Sequence, residues 1–171
     1  ILSHVYLRAW EARRFNYGSF IWARLSRVYP MHLVTLAATL AIWFAATKVG
    51  ANFDTVAFDP GVLPQHLLMI HAWGTTPTVQ WNFPSWSISA EWFAYLAFPV
   101  AAMLSLAARR SALGGVLAAA TLFAGLFLAA QSTGVHFTEM TARVGALRII
   151  PSFLMGAALY RLGCTVSLSK A

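Results

Sequence analysis

Trp81-Asn82-Phe83-Pro84-Ser85-Trp86-Ser87-Ile88-Ser89-Ala90-Glu91-Trp92-Phe93-Ala94-Tyr95-Leu96-Ala97-Phe98-Pro99 sets one carboxylate, Glu91, near the start of an apolar run that otherwise reads as a membrane span. A carboxylate facing hydrocarbon is costly, so such a residue points into a protein interior or a wet cavity and marks a functional path. Ser87, Glu91 and Tyr95 recur every four residues and share one helical stripe. A capping box needs Ser or Thr three residues before the glutamate. Ile88 stands there, so capping does not account for the acid. Pro99 has no N–H to donate and its ring clashes with the carbonyl of Tyr95, which predicts a kink with the freed carbonyl on the same stripe. The structural alternative for Glu91 is a hydrogen bond or ion pair to a neighbouring helix, for example to Arg148.

Of the 171 residues, 59% are hydrophobic and 10% charged, and the mean hydropathy is +0.65. Soluble domains carry about 25% charged residues. Five acids are too few to solvate a globular surface of this size. The reading is an all-α, polytopic transmembrane helical bundle, partial, with about three full spans plus the end of an earlier helix at 1–7. The apolar segments run over 31–47, 86–108, 112–130 and 144–160. Residues 1–7 lack the basic start of a signal peptide. The chain reads as an internal piece, 1–171 of a single membrane domain truncated at both ends.

Threading the segments alternately puts Arg8, Arg13, Arg14, Arg24, Arg27, Arg109, Arg110, Arg161 and Lys170 on one side, with Lys48 and Arg143 flanking the other. Lys/Arg excess marks the cytoplasmic face, which makes 8–30 a cytoplasmic loop and 49–85 an external one. Topology also explains the net charge of +7, and no nucleic-acid motif accompanies it. Within the external loop, 65–73 reads as a short interfacial helix anchored by Trp73. His66 and His71 are five apart, a spacing that does not put a metal pair on one helix face, so no metal is expected. The lone Cys164 excludes an internal disulfide and reads as a packing residue.

A second polar constellation, Arg24-Leu-Ser-Arg27-Val-Tyr-Pro30, lies before the span that opens with Met31. Arginines three apart share a helical face, and their forks suit phosphate oxygens. An ordinary positive-inside anchor would look the same.

Together these residues resemble the acyltransferase 3 family of multi-pass membrane acyltransferases. The match rests on 20–30 with Arg24, Arg27 and Pro30, on 81–95 with Phe98 and Pro99, and on Leu147-Arg148, Phe153-Leu-Met-Gly156 and Leu159-Tyr160-Arg161-Leu162. The resemblance implies transfer of an acyl group, usually acetyl, from cytoplasmic acyl-CoA to a hydroxyl of a glycan or related acceptor, in a bacterial inner membrane. It implies no permanently bound cofactor. Arg24 and Arg27 would hold the donor's phosphates. Glu91 and Ser87 are the catalytic candidates, with Trp81, Asn82, Trp86, Ser89, Tyr95 and Arg148 the candidates for substrate contact. Ser87 and Ser89 could donate hydrogen bonds, and Trp81 and Trp86 could stack on a sugar or anchor at the interface. The histidine that serves the family as general base lies on a first helix not present in 1–171, and His4 does not replace it, so the piece by itself is expected to be inactive. A transporter or flippase using intramembrane Glu and Arg is the alternative function, and a membrane scaffold is a third. One difficulty stands: topology sets Glu91 near the external face and the arginines at the internal one, across about 30 Å of hydrocarbon.

Overall fold

The computed structural model describes residues 2–51, 56–76, 78, 80–107, 112–132 and 145–168. Asp54, Arg109, Arg110, Arg143 and Lys170 lie outside them, as do the side chains of His4, Arg8, Arg161 and Cys164. Among the described residues the regular structure is all helical, a partial helical membrane bundle. The helices are α1 (Leu2–Glu11), α2 (Tyr17–Lys48), α3 (Leu63–Leu67), α4 (Ser85–Leu96), α5 (Phe98–Ala107), α6 (Ala112–Ser132) and α7 (Gly145–Leu168). A 3-10 turn, Pro60–Val62, leads into α3, and a π turn, His71–Thr75, follows it.

α2 corrects the expected loop over 8–30. Its 32 residues begin at Tyr17, so only 12–16 separate it from α1. Asn16 caps the helix, its side chain accepting from the Ser19 N–H at 2.9 Å, which satisfies one of the orphan donors of a helix start. Pro30 sits inside the helix without ending it, as membrane helices allow. At 1.5 Å per residue α2 is about 48 Å long, more than the roughly 30 Å of a hydrocarbon core. It is long and apolar enough to cross a membrane by itself.

The span expected over 86–108 divides at the predicted place. α4 ends at Leu96 and α5 starts at Phe98, because Pro99 cannot continue the α4 ladder. The exposed Leu96 carbonyl accepts from the Tyr17 hydroxyl at 3.1 Å. α4 and α5 together supply span length, about 33 Å by helix rise. α6 and α7 carry shorter apolar stretches, Leu113–Ala129 and Gly145–Tyr160, and α7 continues eight residues past the expected end at 160.

Contacts fix the directions. Tyr95 and Phe98 meet Phe20, while Asn82 meets Thr35, so α4 runs antiparallel to α2. The core at this end joins Leu7, Phe20, Tyr95, Phe98 and Ala102, with Trp10, Phe153 and Tyr160 packed against it. A second cluster sets Leu36, Val62 and Trp81 together with Leu40, Trp43 and Phe58. The expected external loop is therefore not a loose connection, since Phe58, Val62, Leu63 and Trp81 pack back along α2. Nor is 65–73 one helix. Met69 takes φ 55° and Gly74 φ 83°, left-handed conformations that break the run, leaving α3 and the π turn as two separate pieces.

Candidate functional site

The starting residue of α2 removes the distance between the two sequence constellations. Because α2 extends back through Arg24 and runs antiparallel to α4, Arg24 lies at the level of Tyr95. Its guanidinium carbon is 5.4 Å from the Tyr6 ring centre, 5.9 Å from that of Phe20 and 5.8 Å from that of Tyr95. Nη2 donates to the Tyr6 hydroxyl at 2.9 Å, while Nε has no partner among the described residues. The Tyr95 hydroxyl donates to Glu91 Oε1. One cation, three aromatic faces and one carboxylate thus form a continuous polar cluster between α1, α2 and α4. Charge over aromatic faces is favourable where water is thinned out.

Not every expected member joins. Arg27 is exposed one turn further along α2, so the arginine pair does not close on a single point. Glu91 is exposed and Tyr95 buried. Ser87 donates to the Pro84 carbonyl at 2.9 Å, which engages its proton within the first turn of α4. On the opposite side of α4, an apolar cavity of about 230 Å³ is lined by Ala94, Ala97, Phe93, Ile150 and Phe153 among others.

The remaining candidates have structural partners. Trp81 is 7% exposed, its Nε1–H donates to the Asp59 carbonyl at 2.8 Å, and its ring meets Trp43 and Phe58 edge-on, each at 5.5 Å. That is core packing, and it leaves little of the ring surface open to a sugar or an interface. Trp86 lies beneath Arg148, whose guanidinium carbon is 5.0 Å from the ring centre. Gly145 makes this approach of α7 possible, since a Cβ there would sit 3.1 Å from Ala72 Cβ and 3.2 Å from its carbonyl oxygen. Asn82 donates from Nδ2 to Thr35 Oγ1 at 2.9 Å. Ser89 is fully buried; its hydroxyl donates to the Met69 carbonyl at 2.8 Å and accepts from the Ala72 N–H at 3.0 Å. Trp73, read as an interfacial anchor, donates to the Ser89 carbonyl at 2.9 Å and packs edge-on against Phe93.

Sequence reasoning missed a histidine stack. His66 and His71 lie with ring centres 4.0 Å apart and planes 12° off parallel, and His32 of α2 continues the stack 5.9 Å from His71. All three are buried. The break at Met69 brings the pair together, so the five-residue spacing that is wrong for a continuous helix is right for a broken one. Burial, with the neighbouring imidazoles adding repulsion, pushes His66 down to about 3 and His71 down to about 4. Among the described residues no group of histidine, cysteine or carboxylate side chains is arranged to hold a metal.

Compared with known proteins, residues 11–169 match a family model described as an acyltransferase domain. Over 98 residues the chain is 35% identical to Acyltransferase MdmB of Streptomyces mycarofaciens, the alignment covering 56% of this chain and 24% of that protein. The chain thus corresponds to a minor part of that relative's length. No solved structure matches it.

Proposed function

The chain belongs to the acyltransferase 3 family, and we propose that it forms part of a membrane enzyme that moves an acyl group, acetyl in the first instance, from cytoplasmic acyl-CoA to a hydroxyl of a glycan or related acceptor. In that reaction the acceptor oxygen attacks the thioester carbonyl carbon, the carbon–sulfur bond breaks, and the hydroxyl proton ends on the released thiol. The membrane is the bacterial cytoplasmic membrane, with the N-terminal end of α2 on its inner side. The observation that carries the reading is the gathering of Arg24, Tyr95 and Glu91 in one cluster. A thioester donor needs a cation for its phosphates and a separate group to position the attacking hydroxyl, the pantetheine arm spanning the distance between its two ends. Arg24, with Arg27 on the next turn, holds the phosphates; Tyr95 fixes one oxygen of Glu91, and the carboxylate positions the acceptor hydroxyl or the histidine that deprotonates it.

The test is radiolabelled acetyl transfer from acetyl-CoA in membranes that carry the full-length protein, comparing wild type with Arg24→Ala, Arg27→Ala and Glu91→Gln at matched expression. Label in the glycan fraction that depends on Arg24 and Glu91 supports the assignment. Unchanged labelling in Glu91→Gln would reduce Glu91 to a helix contact, and movement of acceptor without any acyl-CoA-dependent label would replace the transferase with a transporter.

A further inference from the structure

Arg24 is held from a second helix. Of the N–H donors of its guanidinium, Nη2 gives one to the hydroxyl of Tyr6 on α1 at 2.9 Å, and the centre of the Tyr6 ring lies 5.4 Å from the guanidinium carbon. Phe20 and Tyr95 flank the same carbon at 5.9 and 5.8 Å, within the roughly 6 Å over which a cation feels a ring face. Tyr6 is itself fixed. Its ring meets Phe20 at 4.8 Å, Phe15 at 6.1 Å and Phe98 at 6.2 Å, each edge-on, and Phe20 and Phe98 are buried. Side chains of α2, of α5 and of the turn between α1 and α2 therefore lock the phenol, and the phenol locks the fork.

The chemistry of the holder decides what the arginine is left to do. A carboxylate in this place would fix the fork and cancel its charge, and an incoming anion would meet a neutral pair. A phenol hydroxyl accepts the hydrogen bond and brings no charge, so the cation stays available. Arginine has a long, rotamer-rich stem, and each such side chain frozen during binding weakens affinity. A fork already held in one orientation presents its other N–H groups to phosphate oxygens without that loss. Arg27 lies exposed one turn further on, outside this aromatic setting.

We propose that Tyr6 is a positioning residue for the acyl donor: it holds the Arg24 fork in the orientation that receives a phosphate, and thereby sets the preference for a phosphorylated thioester donor over a bare one. The identity of the donor rests on the acyl-transfer reading above; the holding of Arg24 by Tyr6 rests on the contacts alone.

The experiment measures acetyl transfer to the glycan fraction in membranes that carry the full-length protein, with two donors that share the thioester: acetyl-CoA, and acetyl-pantetheine, which has no phosphates. The wild type shows the lower KM for acetyl-CoA. Tyr6→Phe keeps the ring and removes the hydrogen-bond acceptor; it raises KM for acetyl-CoA about tenfold, the size of one hydrogen bond to a charged group, with kcat unchanged, and leaves KM for acetyl-pantetheine as it was. Arg24→Lys, which keeps the charge without the fork, gives the same pattern, and adding Tyr6→Phe to it raises the donor KM no further. A purely structural Tyr6 would lower the amount of active enzyme and hence the rate with both donors alike. That result overturns the proposal, as does an unchanged KM for acetyl-CoA in Tyr6→Phe or a wild type that does not distinguish the donors. Calorimetric titration of CoA into the full-length protein in nanodiscs separates this proposal from the reading it rests on. CoA binding that weakens about tenfold in Tyr6→Phe, with no acyl transfer by the wild type, removes the transferase and keeps the phosphate site; acyl transfer with equal CoA binding in wild type and Tyr6→Phe removes the role of Tyr6 and keeps the transferase.

Discussion

Ser87 and Ser89 are two residues apart, Ser87 expected from the sequence as a catalytic candidate and Ser89 as a substrate contact, yet the structure gives Ser89 the greater structural weight, and Ser89→Ala measures the difference. The Ser89 hydroxyl donates to the Met69 carbonyl at 2.8 Å and accepts from the Ala72 N–H at 3.0 Å, in a residue with no exposed surface. Truncation strands one buried carbonyl and one buried N–H, each worth about 1–3 kcal/mol. With some relaxation the sum is about 3 kcal/mol, since the bond from Trp73 to the Ser89 backbone carbonyl survives the substitution. At about 1.4 kcal/mol per tenfold, that raises the opening equilibrium of the segment from α3 through the π turn about 150-fold. Amide hydrogen exchange over 66–76, followed by mass spectrometry on the full-length protein in nanodiscs, reads this directly. Ser87→Ala is the internal control, because the residue is exposed and its hydroxyl bonds to the Pro84 carbonyl within its own helix turn; its effect stays within about 0.5 kcal/mol. Exchange in Ser89→Ala that matched Ser87→Ala would refute the claim that Ser89 holds this segment against α4.

The same segment depends on pH. His66 and His71 are held near 3 and 4, below the ordinary 6.5, so the undocked segment binds more protons than the docked one. Docking is therefore intact above about pH 6.5 and weakens as pH falls toward 4, by about 1.4 kcal/mol per unit for each ring; protection of 66–76, corrected for intrinsic exchange, that stayed flat from pH 7 to 5 would contradict it. Gly145→Val forces atoms into the 3.1 Å approach to Ala72 and costs about 1–3 kcal/mol in thermal unfolding, whereas Gly156→Ala, with nothing within 4 Å, is neutral or slightly stabilising, as Ala is favoured over Gly in a helix by about 1 kcal/mol. Tyr6→Phe removes the acceptor of the Arg24 hydrogen bond and lowers stability by about 1.5–3 kcal/mol; a double-mutant cycle with Arg24→Ala gives a coupling near zero if the contact is absent in the membrane.

Several features were legible because they are local. Pro99 lacks a donor whatever surrounds it, so the break between α4 and α5 follows from one residue. The apolar runs at 112–130 and 144–160 correspond to α6 and α7 with starts correct to within a residue. The stripe of Ser87, Glu91 and Tyr95 follows from helical spacing, although only Tyr95 and Glu91 bond to each other. The true start of α2 was also written locally, in Asn16 three residues before Ser19. Lys/Arg excess over 8–30 argues for a loop beside a membrane, while the helix simply extends past the apolar layer.

What the sequence by itself determined is the membrane class, the family resemblance and the helical segments, since apolar runs, helix periodicity and proline chemistry depend on neighbours in the chain. Only the tertiary structure decided that Arg24 reaches Tyr95, that Trp81 and Ser89 belong to packing, and that His32, His66 and His71 form one stack. Those outcomes depend on the antiparallel register of α2 and α4 and on a left-handed break at Met69. Register is set by the sum of many side-chain contacts between distant segments, and no single stretch of sequence carries that sum.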